Sequence, residues 1–276
     1  MELKITTDIG TADIKLYDTL SAFYGASIGQ HEITNQWNRW QFDSMSYTAC
    51  LNAVRDGDLS GVAMADKYLS ALEDTVIVSS GYRVTDDVVG AMPNVPAYLS
   101  GNPYNMRLRR RVAKESAPLA IFADLTSSAS LTTKQVAQRG AAILALVRLL
   151  SQRRPIELWV GAGLNRGTNA TLVFTRLDTA PLDLARAAHM LTAETVSRGL
   201  CYGLCKVGAK TDGGFPFGDI DRWRKHGRDI LSRAIAHSSE VLFIPPVFAN
   251  DKAINRPAEW LSDMLAAYGG LEQEAA

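Results

Sequence analysis

Asp124, Thr126 and Ser128 are the residues of this chain whose types and spacing most directly suggest chemistry. They close the segment Leu119-Ala-Ile-Phe-Ala-Asp-Leu-Thr-Ser-Ser, one carboxylate with hydroxyls at the second and fourth places after it. Oxygen donors of this kind suit a hard divalent cation such as Mg²⁺, which takes one or two carboxylates and keeps several waters. The same residue types are common in turns and helix caps, so Asp124 also has a purely structural reading as a cap for the next element. Two later loops offer more oxygens: Asp178 and Thr179 in one, Asp251 in the other.

A second chemistry is offered by Arg107-Leu-Arg-Arg-Arg-Val-Ala-Lys114, the one dense basic run. Arg107, Arg109, Arg110, Arg111 and Lys114 could neutralise phosphates in a sequence-blind, salt-dependent way. Tyr98 and Tyr104 lie just upstream, and aromatic side chains of that kind stack on single-stranded bases. The plain alternative is a solvated basic linker. Neither reading is catalytic. His31, His189, His226 and His237 do not stand beside a nucleophile motif, and Ser127 and Ser130 have no activating base in view. The stretch Gly208–Gly218 lacks the Lys-Ser/Thr ending of a phosphate loop. No enzyme is expected.

The elements that must position these residues become regular after residue 117. Residues 119–124 form a continuous apolar run, the pattern of a buried parallel strand. Residues 132–151 carry apolar residues at helical spacing behind a capping Thr132 or Thr133. Strands follow at 156–161 and 170–177, separated by the turn Asn165-Arg-Gly-Thr-Asn169, which pairs them as a hairpin. Helices are expected over 182–197, 220–236 (capped by Asp219) and 257–268, with a buried strand at 240–245. That order favours a largely parallel sheet with helices on both faces. Ligand sites in such sheets gather beyond the carboxyl ends of the strands.

Before residue 117 the signals are mixed. Helical spacing runs through 46–55 and 60–73, and Thr75-Val-Ile-Val is a short strand candidate. Residues 81–106 are rich in Gly, Pro and Asn and read as an ordered arm whose apolar residues need cover. Trp37, Trp40 and Phe42 form an aromatic group that packs in the core or anchors the N-terminal region to the sheet.

The bulk numbers narrow the classes. The chain has 276 residues, 29 basic and 29 acidic, for a formal net charge of +0, so no global field draws it to nucleic acid or to a membrane. No apolar run approaches the roughly 20 residues that span a bilayer. The start of the sequence shows no secretory pattern. Three cysteines, Cys50, Cys201 and Cys205, are too few and too odd in number for a disulfide scaffold and fit a reducing cytoplasm. They read as small buried apolar residues.

From residue 117 onward the chain resembles a von Willebrand factor A-like domain. That family carries a metal-ion-dependent adhesion site, Asp-x-Ser-x-Ser, at the end of its first strand, with a distant Thr and a later Asp from other loops. Matched residue by residue, Asp124, Thr126 and Ser128 fill the motif, Thr179 best matches the distant Thr, and Asp251 the later Asp. The helix carrying Arg139-Gly-Ala-Ala-Ile-Leu-Ala-Leu and the strand Ile156–Val160 also look like that family. Thr stands for the first Ser, Thr179 comes early, Asp251 comes late, and Asp251-Lys252 replaces the usual Asp-Gly. The whole chain also looks like a group of bacteriophage proteins, which implies viral origin and a host cytoplasm but carries no activity with it.

The expectation is therefore an α/β fold: a von Willebrand factor A-like domain over 117–276, preceded over 1–116 by a mainly helical region with an extended Pro/Gly-rich arm. The resemblance implies protein recognition, with Mg²⁺ held by Asp124, Thr126 and Ser128, and by Thr179 and Asp251 as outer ligands. A partner's carboxylate would complete the shell. The alternative is a nucleic-acid-binding accessory protein acting on single-stranded DNA, or in transcription or replication, through Arg107, Arg109, Arg110, Arg111, Lys114 and Tyr104.

Overall fold

The structure is a computed structural model, and it describes residues 1–40, 42, 45–73, 82–90, 92–111, 118–152, 154–211, 214–235 and 240–268. Alternation begins at the N-terminus. Strand β1 (Glu2–Thr7) and β2 (Gly10–Tyr17) form an antiparallel hairpin, and β2 buries every second residue, Ala12, Ile14 and Leu16. Four helices follow: α1 (Leu20–Ser27), α2 (His31–Trp40), α3 (Tyr47–Asp56) and α4 (Val62–Glu73). Thr19 and Ser46 cap α1 and α3 by accepting from backbone N–H groups of the first turn.

Residues Val76–Ser116 form a compact unit distinct from the remainder, Met1–Thr75 with Ala117–Ala276. Within it, β3 (Tyr82–Asp87), β4 (Met92–Pro93), a short helix α5 (Val95–Leu99) and β5 (Met106–Arg111) make a three-stranded antiparallel sheet in the order β3-β5-β4. The segment expected to be an extended arm thus folds on itself. The candidate strand at 75–78 lies outside the described residues.

The larger unit resumes with β6 (Leu119–Asp124), α6 (Thr133–Ser151), β7 (Ile156–Arg166), β8 (Asn169–Leu177) and α7 (Leu184–Thr192). A π-helical stretch, Thr195–Cys201, leads into α8 (Tyr202–Lys206). Then come α9 (Ile220–Ala234), β9 (Glu240–Ile244), α10 (Lys252–Asn255) and α11 (Pro257–Tyr268). Thr132 caps α6 in a reciprocal capping box with Gln135, worth about 1 kcal/mol. Asp219 caps α9.

The six-stranded sheet has the order β1-β2-β8-β7-β6-β9. Three pairings are parallel (β2/β8, β6/β7, β6/β9) and two antiparallel (β1/β2, β7/β8). The sheet is therefore mixed and not largely parallel. The N-terminal hairpin joins the outer side of β8, which places the first residues of the chain in the same sheet as Asp124. A division at residue 117 does not follow the compact units, because 1–75 pack with the segment after 117.

One face of the sheet, with Ala120, Phe122, Trp159 and Phe174, packs against Trp223, Ile230 and Leu231 of α9. Phe122 stacks on Trp159 with centroids 5.6 Å apart. Burying each such side chain contributes about 1.5–3 kcal/mol. Helix α9 touches both edge strands, β1 and β9, so the sheet curls around it. Helix α6 is buried nearly all round, between the sheet and the outer helices α4, α7 and α11. Among the described residues no helix is long and apolar enough to cross a membrane.

Candidate functional site

Asp124 ends β6, so its side chain falls at the carboxyl edge of a strand flanked on both sides by parallel neighbours. The loop after it is bound tightly. The Thr126 N–H donates to Asp124 Oδ1 at 2.8 Å, the local turn expected of an aspartate at a strand end. The Thr126 hydroxyl donates to the Gly163 carbonyl at 3.1 Å and accepts from the Gly163 N–H at 3.0 Å. Further on, the Val247 N–H donates to the Thr126 carbonyl and the Ser128 N–H to the Val247 carbonyl. The tips of β6, β7 and β9 are thereby joined.

The carboxylate itself is 0% exposed. Its Oδ2 accepts from the indole N–H of Trp223 at 2.7 Å. Burial pushes the Asp124 carboxyl above the usual range, against the hydrogen bonds from Thr126 and Trp223 and the charge of Arg139. Arg139 is buried beside it, donating to the carbonyls of Asp124 at 2.8 Å and Pro245 at 2.7 Å. Desolvation pulls that guanidinium down to about 10, with Asp124 and Asp251 opposing and Arg224 reinforcing the shift.

The residues singled out from sequence are brought together only in part. Asp124 and Thr126 converge. Ser128 is nearby but hydrogen-bonds Ser130 at 2.9 Å, while its carbonyl accepts from Arg198 at 2.7 Å. Asp251 reaches the same end of the sheet, at the N-cap position of α10, where its carboxylate accepts from Arg224 and from the Phe248 N–H. Thr179 does not belong to this cluster. Strand β8 runs antiparallel to β7, so its carboxyl end lies at the start of β7, and the Thr179 hydroxyl donates to the Ile156 carbonyl. It lines an open cavity of about 530 Å³ with Glu157, Arg176, Asp178 and Asp183 at the opposite end of the sheet.

An octahedral cation needs open oxygen ligands at about 2.0–2.1 Å. Asp124 has an N–H on each carboxylate oxygen, and Thr126 has used its hydroxyl as donor and acceptor. Protein groups thus already engage the oxygens that the sequence offers to a cation. Among the described residues no group of three or more His, Cys, Asp or Glu side chains converges as a metal site.

Sequence reasoning passes over Trp223, Arg139 and Arg198. Arg139 stands alone as a cation inside an apolar helical run, a pattern that marks a buried charge in need of partners. Trp223 sits on the apolar side of α9 with Ile220 and Ile230, between Arg222 and Arg224.

The basic run falls in the small unit. Arg107, Arg109 and Arg111 occupy alternate positions of its central strand, with Arg110 between, and Arg107 stands opposite Asp86 and Met92. Lys114 lies outside the described residues. Tyr98 and Tyr104 are 67% and 55% exposed. Val88, Val89, Met92, Val95 and Leu99 are exposed with them, so this unit carries seven of the ten large apolar side chains exposed among the described residues. Its sequence has six Arg or Lys against three Asp or Glu, a net +3 in a chain of net +0.

No curated protein and no solved structure matches this chain. A family model described as a domain of unknown function, DUF7192, matches residues 15–272, nearly the whole length, and the chain belongs to that family.

Proposed function

We propose that the protein is a non-enzymatic, protein-binding module in which the small sheet at 82–111 is the contact surface. The larger unit acts as its scaffold and is von Willebrand factor A-like. The β7/β8 hairpin after the first strand–helix pair, and the Asp-x-Thr-x-Ser loop at the end of β6, support that resemblance. The observation that carries the proposal is the concentration of exposed apolar side chains in Val76–Ser116, less than a sixth of the chain. Large apolar side chains exposed in such number within one small unit point to interaction. Tyr, Met and Arg beside few Lys and Glu is also the composition of interface cores. The net +3 favours an acidic partner. Asp124 is closed to a partner's carboxylate by Trp223, so the contact is assigned away from the strand tips.

A second reading has its own observation. Four arginines in one strand with two exposed tyrosines could bind single-stranded nucleic acid, the arginines on phosphates and the tyrosines on bases. Capture from native extract separates the two, using the tagged chain and its Tyr98→Ser/Leu99→Asp variant, with and without nuclease. The proposal expects proteins that are lost with the variant and kept after nuclease. Loss on nuclease treatment, with salt-dependent retention of single-stranded DNA, would favour the second reading.

A further inference from the structure

We propose that the Asp124 strand tip is a cation-independent lock, in which the Trp223 indole N–H occupies the open side of the carboxylate and Arg139 and Arg224 supply the positive charge. The indole is held where it is by packing. Trp223 is 0% exposed, with its ring 5.0 Å from Phe243 and 5.8 Å from Phe217. An indole N–H is a donor only and cannot ligate a metal. A cation approaching Oδ2 would have to enter a fully buried place and compete there with this fixed donor.

Charge leads to the same conclusion. Two carboxylates, Asp124 and Asp251, share this end of the sheet with two guanidiniums, Arg139 and Arg224. Arg224 also pairs with the exposed Asp221 at 3.8 Å, so the carboxylates here already have guanidinium partners. A divalent ion at Asp124 would have to be desolvated close to the buried Arg139 guanidinium, which is unfavourable. The hydroxyls argue similarly, since Thr126 is spent on Gly163 and Ser128 on Ser130.

The role of the lock is mechanical. It ties α9 through Trp223 to β6, while Arg139 ties α6 to the ends of β6 and β9. The strand ends are positioned by protein groups in the place where an ion would otherwise organise them.

The test is a thermal melt of the full chain in millimolar Mg²⁺, Mn²⁺ or EDTA, with the metal content of the purified protein measured in parallel. The expected result is one Tm in all three and no stoichiometric metal, since only a ligand of the native state raises its stability. A Tm rise with either cation that Asp124→Asn abolishes, or one metal per chain, would overturn the proposal. A double-mutant cycle reads the bond itself. Trp223→Phe alone should lower Tm by about 5 °C through the orphaned carboxylate oxygen. It should lower Tm distinctly less in the Asp124→Asn background, and additive losses would contradict the lock. Should Trp223→Phe fail to fold, the melt of the wild-type chain alone decides.

Discussion

Arg198 lies across the face of Trp40, its guanidinium carbon 4.8 Å from the ring centroid. From that position it donates to the carbonyls of Ser128 and Leu131 and pairs with Glu194. One side chain thus links the N-terminal helices to the loop after β6. The neighbouring Trp37 makes the same connection by packing: a Cβ on Gly199 would meet its ring at 2.3 Å. The aromatic group of the N-terminal region is an anchor to the sheet unit, held by the π-helical stretch that carries both Gly199 and Arg198.

Removing Arg198 should therefore be costly. Arg198 and Glu194 are both largely buried, and breaking such a pair from one side typically costs about 3–5 kcal/mol. Arg198→Ala should lower the unfolding free energy in urea by that order. Arg198→Lys should recover less than half, because a lysine lacks the fork that reaches Glu194 and two carbonyls together. A loss under about 0.5 kcal/mol, the range of ordinary surface substitutions, would show that the link is not structural.

His189 gives stability an acid limb. It is 2% exposed, next to Cys50 Sγ at 3.8 Å. Burial holds its imidazole below the usual 6.5, with the charge of Asp58 and a backbone hydrogen bond at Cys50 opposing. The folded state then binds fewer protons than the unfolded state between the two values, so stability rises with pH across that window and levels off above 6.5. Acidification below 6.5 should destabilise the protein, and His189→Gln should flatten that part of the curve. An unchanged slope in the variant would assign the acid loss to other groups.

The three cysteines are buried and unpaired. Burial pushes the Cys50 thiol up to about 12, and Cys201 and Cys205 are raised by the same cause. Thiols held protonated and covered are inert. A thiol reagent such as dithionitrobenzoate should titrate none in the native protein and all three in denaturant. A rapidly reacting thiol in the native state would contradict this.

Two glycines should respond in opposite directions. A Cβ on Gly140 in α6 would sit 2.1 Å from the Leu191 carbonyl of α7, backbone that cannot move aside cheaply. Gly140→Ala should cost at least about 1–3 kcal/mol. Gly25 in α1 has nothing within 4 Å of the same position. Gly25→Ala should stabilise by about 0.5–1 kcal/mol through helix propensity. Urea midpoints read both, and a neutral Gly140→Ala would show that α6 and α7 can separate.

Much of the larger unit is legible in the sequence because its signals are local. Leu119–Asp124, the Thr132 cap and helix of α6, the β7/β8 hairpin, the Asp219 cap and α11 all rest on runs, spacing and cap residues. The N-terminal hairpin is also local, with Ala12, Ile14 and Leu16 alternating, but its place in the main sheet is not, because its parallel partner, β8, is more than 150 residues away. The helix expected over 182–197 breaks after Thr192 and gives way to the π-helical stretch, whose Gly199 packs closely on Trp37. At the site, the position of the Asp124 loop is plain from the sequence. Its chemistry is not, since that depends on Trp223, 99 residues onward. Thr179 is misplaced by sequence reasoning because the hairpin reverses β8 and sends its carboxyl end to the other edge of the sheet.

The most direct test of the binding surface is site-specific photo-cross-linking with benzoylphenylalanine placed at position 98 of the small unit or position 130 beside the Asp124 loop. In native extract, position 98 should yield a discrete protein adduct that survives nuclease, and position 130 should yield none. An adduct from position 130 whose yield depends on Mg²⁺, with none from position 98, would contradict the account.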